Sequence, residues 1–191
     1  MDNKKEKINP LGTIRRTIWF VLRAVLLVSL LLGLAYAVFT EAMYISNMYI
    51  IVTEGMELRA ETILKNGGKA DLDQHFTEDF LNNDALLNDY PYGNYLVDNF
   101  DYRYEIKGVS VLPWASSGSI TYEERIPVIS GSPVSDDVTE PMPAWESMIY
   151  TVNLKRIEGR WLIDSLTVVE RNPEDEVLPT PDYSQLEDGK N

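Results

Sequence analysis

The chain has 191 residues, 45% of them apolar, which is enough for one membrane helix and one domain with its own core, and excludes a globally disordered chain. Its net charge of -13 is unevenly divided: residues 1–23 carry six basic side chains against two acidic ones, and the remainder carries 11 against 28. So acidic a remainder repels phosphate backbones and excludes direct nucleic-acid binding, while the lack of any cysteine excludes disulfides and a lipoprotein anchor.

Residues 18–39, IWFVLRAVLLVSLLLGLAYAVF, form the first predicted element. A helix of that length spans roughly 33 Å and matches a bilayer core. Arg23 is its only charge and lies near one end, where a long side chain can snorkel to the headgroups. Trp19 and Phe20 suit the inner interface and Tyr36 the outer one. The positive-inside rule puts a basic tail, residues 1–17, in the cytoplasm and everything after residue 39 outside. The expectation is therefore a single-pass protein of the cell membrane. The rival is a cleaved signal peptide, because Ala35-Tyr36-Ala37 has the small-x-small form of a cleavage site. Against cleavage stand the long basic n-region and an amphipathic helix that continues past that point. Arg15-Arg16 fits a twin-arginine signal poorly, and Gly33 lacks the repeat of small residues that drives helix dimerisation.

From Met43 to Leu64 the apolar residues Tyr44, Met48, Val52, Met56, Ala60 and Ile63 recur at helical period, with Ser46, Asn47, Thr53, Glu54, Glu57 and Glu61 opposite. This predicts an amphipathic helix continuous with the membrane segment and ended by Asn66-Gly67-Gly68. Asp71-Leu72-Asp73-Gln74 has the form of a capping box. Thr77 can cap a further short helix that turns Phe76, Phe80 and Leu81 inward, and Asp84 a last turn over Ala85 to Asn88. After Pro91 the period becomes that of a strand. Phe100, Tyr102, Tyr104 and Ile106 alternate with Asp101, Arg103, Glu105 and Lys107, and Gly108 shifts the phase, which predicts a bulge. A second strand is expected from Ser119 to Ile129, with Ile120, Tyr122, Ile126 and Val128 on one face. Residues 130–145, rich in proline and acids, read as a mobile loop. A third strand starts at Met148, and Glu158-Gly159 is a hairpin turn into a fourth, Arg160 to Glu170. Residues 171–191 are acidic, contain proline and are expected to be disordered.

A long helix, short helices and four antiparallel strands make an α+β domain over residues 40–170 with the helices on one face of a curved sheet. That order resembles the NTF2-like, cone-shaped α+β superfamily. The resemblance rests on Asp71 to Leu81 (DLDQHFTEDFL), on the strand Phe100 to Val111, and on the closing hairpin YTVNLKRIEGRWLIDS, Tyr150 to Ser165. Within that superfamily the layout of short tail, single span and extracytoplasmic domain is similar to VirB8-like and TcpC-type components of conjugation and type IV secretion systems. This resemblance implies a membrane-anchored, non-enzymatic assembly or scaffold component of a bacterial envelope complex. Its partners would be the lipid bilayer and other subunits of that complex, with self-association left open.

Few residues point to chemistry. His75, the only histidine, would lie with Asp71, Glu78 and Asp79 near one helical face, but these read better as capping and solvated residues than as metal ligands. Tyr102, Tyr104, Tyr122 and Tyr150, with Asp164, are candidates to line a pocket in the cone, or else to pack its core. Nothing assembles into nucleophile, base and oxyanion donor, so no enzyme, cofactor or metal is expected. Pro113-Trp114 and Trp145 are candidate partner-binding residues; the alternative is that they fold back over the open end of the cone. A small-ligand-binding cone is the second functional expectation, and a pocket enzyme the third.

Overall fold

The structure is a computed structural model and describes residues 10–174. One unbroken helix, α1 (Pro10–Leu64), runs through the predicted span and into the domain. By length and composition α1 can cross a bilayer, and its apolar window packs against nothing among the described residues. Over its last turns the predicted stripe turns inward, with Met48, Val52, Met56, Ala60 and Ile63 all buried. Asn66 stops it in the left-handed conformation (φ 51°), and the Gly67 N–H donates to the Thr62 carbonyl at 3.0 Å, the closure of a Schellman end.

A 3-10 helix (Lys69–Gln74) follows. Asp71 lies inside its first turn and Gly68 occupies the cap without a side-chain bond, so the predicted capping box does not form. The other two caps do. Thr77 Oγ1 accepts from Phe80 N at the start of α2 (Glu78–Asn83), and Asp84 Oδ1 accepts from Leu87 N at the start of α3 (Ala85–Asp89).

Six strands follow: β1 (Tyr95–Phe100), β2 (Arg103–Val111), β3 (Ser117–Arg125), β4 (Ile129–Pro133), β5 (Met148–Ile157) and β6 (Arg160–Arg171). The main sheet is antiparallel in the order β2-β3-β5-β6, and β1 pairs with β4 in a separate two-stranded sheet. The second sheet corrects three expectations. The strand expected from Ser119 to Ile129 ends at Arg125, because Pro127 has no N–H to continue the ladder. The stretch that reads as the start of a loop is β4. The alternation through Phe100 and Tyr102 is shared between two strands, with Asp101 N donating to Val128 O where the chain passes from β1 to β2. A Cβ at Gly131 would lie 2.2 Å from the Leu96 carbonyl oxygen, so only glycine lets β4 approach β1 so closely.

In the main sheet, the predicted bulge appears between Ile106 and Gly108, with two more in the β5–β6 ladder. Glu158 and Gly159 both adopt positive φ (50° and 86°), the geometry of a tight hairpin turn. Ile120, Tyr122, Tyr150, Val152 and Leu154 face α1 and form the core with Phe76 and Trp161. The segment His75–Thr77 closes part of the β6 edge, since Ile163 donates to His75 O (2.7 Å) and accepts from Thr77 N (2.9 Å). The main sheet spans 103–171, so β6 runs one residue into the tail expected to be disordered; residues 175–191, and residues 1–9 of the basic tail, lie outside the described residues.

Candidate functional site

One end of the domain's interior is polar. Arg59, on the buried face of α1, meets Asp84 through Nε···Oδ2 at 2.7 Å, with side-chain exposures of 4% and 5%. Asp84 thus holds two elements, capping α3 with Oδ1 and pairing α1 with Oδ2. Burial works against the Arg59 charge, but the Asp84 carboxylate outweighs it and holds the guanidinium above its ordinary pKa. Glu124 of β3 lies close by with no exposure at all, and burial raises its carboxyl above the usual range despite the opposing pull of Arg59.

Two tyrosines complete the cluster. The Tyr102 hydroxyl lies 3.2 Å from Glu124 Oε1 and 2.9 Å from the Tyr122 hydroxyl, so that half-buried Tyr102 links two buried groups. With Glu124 ionised, Tyr102 donates to the carboxylate and Tyr122 to Tyr102. Burial drives both phenols well above their ordinary range, and Tyr150 is pushed up to about 12 for the same reason. Tyr104 stacks on Tyr122 with ring centroids 5.6 Å apart and keeps one face toward solvent. Low dielectric strengthens each of these bonds and fixes one arrangement of helix, loop and sheet.

Beside this cluster opens a cleft of about 690 Å³. Phe80 and Leu86 of α2 and α3 form one wall, and Met148 and Tyr150 of β5 with Leu166 and Val168 of β6 form the other. Arg59 and Asp84, both buried, lie at its base. Ion pairs mark its two ends, Lys155–Asp164 at 2.8 Å and Arg171–Glu146 at 2.6 Å. Of the four tyrosines singled out in the sequence, Tyr150 alone lines this cleft; Tyr102, Tyr104 and Tyr122 gather beyond it. Asp164 is held by Lys155 and sits 3.5 Å from the Thr77 hydroxyl.

The tryptophans part company. Trp145 folds back and stacks on Tyr92 at 6.4 Å, beside the end of α1 where Asn66 Nδ2 donates to Tyr92 O. Its loop is tied down as well, because the Tyr95 hydroxyl lies 3.0 and 3.1 Å from the carbonyls of Glu140 and Pro141. Trp114 sits at the opposite end, on the β2–β3 turn after the half-buried Pro113, with 78% of its surface exposed. His75 is largely covered. Its Nε2 lies 3.6 Å from Glu54 Oε2, and no three His, Asp or Glu side chains gather into a metal-sized group among the described residues.

Arg59 and Glu124 had a signal in the sequence. Arg59 lies among Met56, Ala60 and Ile63 on the inward stripe, and Glu124 keeps the phase of Ile120, Tyr122 and Ile126. A polar residue at an inward position marks a buried network as surely as an apolar one marks a core.

No family model and no curated protein matches the chain. Among solved structures, the domain is similar to an NTF2-like protein of unknown function from Shewanella baltica OS155. The two share 11% identity and a TM-score of 0.40 over 66% of this chain and 94% of that one. The structure itself establishes an α+β domain in which a long, N-terminally apolar helix packs across a bulged antiparallel sheet.

Proposed function

We propose that this chain is a membrane-anchored, non-enzymatic binding component of a bacterial cell-envelope complex, whose domain takes an extended segment of a partner subunit into the cleft beside β6. The anchor reading is supported by the apolar first half of α1 and by the basic residues at its start against an acidic remainder, which favour a cytoplasmic N-terminus and an extracytoplasmic domain. The observation that carries the binding reading is the course of the cleft along β6. Past Ile163 no strand pairs with the outer edge of β6 among the described residues, so backbone groups and the side chains of Leu166 and Val168 border the same opening. An unpaired edge flanked by alternating apolar side chains suits strand addition by a peptide.

The non-enzymatic part rests on how the acids are spent. Of the acids that line the cleft, Asp84, Asp164 and Glu146 are ion-paired and Asp79 stands in the first turn of α2, while Glu124 lies away from the cleft beneath Tyr102. A conjugation or type IV secretion machine is the narrower proposal, supported by the layout of tail, span and domain. The cleft volume itself favours a second reading, a small apolar ligand, since small-molecule sites have that size.

The test uses the full chain in its native membranes with a photo-crosslinking residue in place of Val168. A discrete cross-linked membrane protein, lost when Leu86→Glu charges the facing wall, supports strand docking. Recovery of the chain alone with a co-purifying metabolite or lipid, displaced by the same change, would overturn it in favour of the ligand reading.

A further inference from the structure

We propose that the sheet end carrying Trp114 docks on the outer leaflet of the membrane that α1 crosses, giving the domain a second contact with the bilayer. The inference rests on the anchored reading above. Strand β3 and helix α1 run in the same direction. At one end, a Cβ on Gly118 would lie 2.8 Å from Met48 Cε, and at the other Glu124 interacts with Arg59. Six residues of strand cover about 20 Å and eleven of helix about 16 Å, so the two keep step. The β2–β3 turn therefore points back toward the apolar half of α1.

The β5–β6 hairpin does the same. Leu154 pairs with Gly118, and the chain continues past it to the turn. Trp161 meets Tyr44 edge-on at 5.4 Å, and the Arg156 guanidinium covers the Tyr44 ring at 4.8 Å and bonds to its hydroxyl. The backbone N–H of Arg156 donates to Ser116 O, joining hairpin to turn. Tyr44 follows Phe39, the last residue of the span, by five residues, about 7.5 Å along the helix. Both tips thus reach the level at which the apolar span ends.

The chemistry of the tips fits a headgroup layer. Leu112, Trp114 and Ile157 are all exposed there, Trp114 the most. Tryptophan favours this interface because one part of its ring system is apolar and its N–H is polar. Lys155, Arg156 and Arg160, three of the 11 basic residues beyond residue 23, gather within six positions; against Glu158 in the turn and Asp164, which pairs with Lys155, they leave one net positive charge at the tip of an otherwise strongly acidic domain. A basic, aromatic tip on an acidic domain complements anionic lipid, and repulsion holds the rest of the domain off the surface.

The absence of native cysteine allows single-cysteine labelling of the full chain in vesicles of phosphatidylethanolamine and phosphatidylglycerol carrying brominated acyl chains. A fluorophore at Ser29→Cys reports the span, one at Ser116→Cys the tip, and one at Asp136→Cys the turn after β4. Quenching at positions 29 and 116 but not 136 is expected. Arg160→Glu, or replacing phosphatidylglycerol by phosphatidylcholine, should weaken docking about fivefold or more. Quenching at 29 without quenching at 116 overturns docking and leaves the anchor standing. Loss of quenching at 29 overturns the anchor and the docking together. A label at 116 that is shielded yet unquenched, and that cross-links between copies, overturns the lipid contact in favour of a second copy of the chain.

Discussion

Replacing Asp84 should be among the most damaging single changes in the domain. Its carboxylate caps α3 through Oδ1 (3.1 Å to Leu87 N) and neutralises Arg59 through Oδ2 (2.7 Å). Loss of a helix cap costs about 1 kcal/mol. Breaking a buried ion pair costs roughly 3–5 kcal/mol, because the surviving charge stays buried without its partner. The two terms share one side chain and are not strictly additive, so Asp84→Ala should destabilise by about 4 kcal/mol. Asp84→Asn keeps the shape and a capping oxygen and should lose about 3 kcal/mol, the share of the charge. The measurement is urea unfolding of the full chain in mild detergent, followed by the fluorescence and near-ultraviolet dichroism of Trp145 and Trp161. Far-ultraviolet dichroism would be dominated by the long helix α1. Arg59 Nη1 is buried without a hydrogen-bond partner, and Glu124 lies close enough to stabilise the Arg59 charge. A loss below about 1 kcal/mol in Asp84→Ala would therefore mean that Arg59 re-pairs with Glu124. That result would refute the claim that Asp84 is its required partner.

Glu124→Gln tests the buried acid. Because burial raises its pKa in the folded chain above the ordinary 4.5, the native state binds the proton more tightly than the unfolded one. The stability tied to that proton is fully present below pH 4.5 and is lost as pH rises through the higher, folded value. Glu124→Gln should therefore be more stable than the natural chain at pH 8 and converge on it toward pH 4 in thermal unfolding; a constant offset at all pH values would contradict this. Gly131→Ala should open the second sheet, since its Cβ has no room beside Leu96 O. Hydrogen exchange should accelerate over 95–100 and 129–133 while the main sheet keeps its protection. Unchanged exchange there would refute the steric account.

What could be read from the sequence was whatever depends on near neighbours. The stripe from Tyr44 to Ile63, the caps at Thr77 and Asp84, the bulge at Gly108 and the turn at Glu158-Gly159 are each set by a few consecutive residues. The pairing of β1 with β4 is not local. It depends on a glycine facing a carbonyl 35 positions away, and Ser-Gly-Ser-Pro in isolation reads as a turn. Asp71 failed as a cap because the helix starts earlier, at Lys69, and in 3-10 form. The polar cluster escaped for another reason. Arg59 and Glu124 follow the correct period, but a search for apolar residues passes over charged ones in the same phase. That Asp84 serves both α3 and α1 emerges only when the chain brings positions 59 and 84 together.

Because α1 is one rod from its apolar half to the core, with no hinge between Phe39 and Met48, whatever holds that apolar half sets the compass bearing of the domain. Each residue added to a helix turns everything beyond it by about 100° and lifts it by about 1.5 Å. The sequence between positions 40 and 47 thus acts as a phasing element. A single inserted residue there would swing the opening beside β6 to a new azimuth, whereas seven inserted residues, close to two whole turns, would nearly restore it and raise it by about 10 Å. On the proposed reading, the direction from which a partner reaches that opening is set by the length of this short helical stretch.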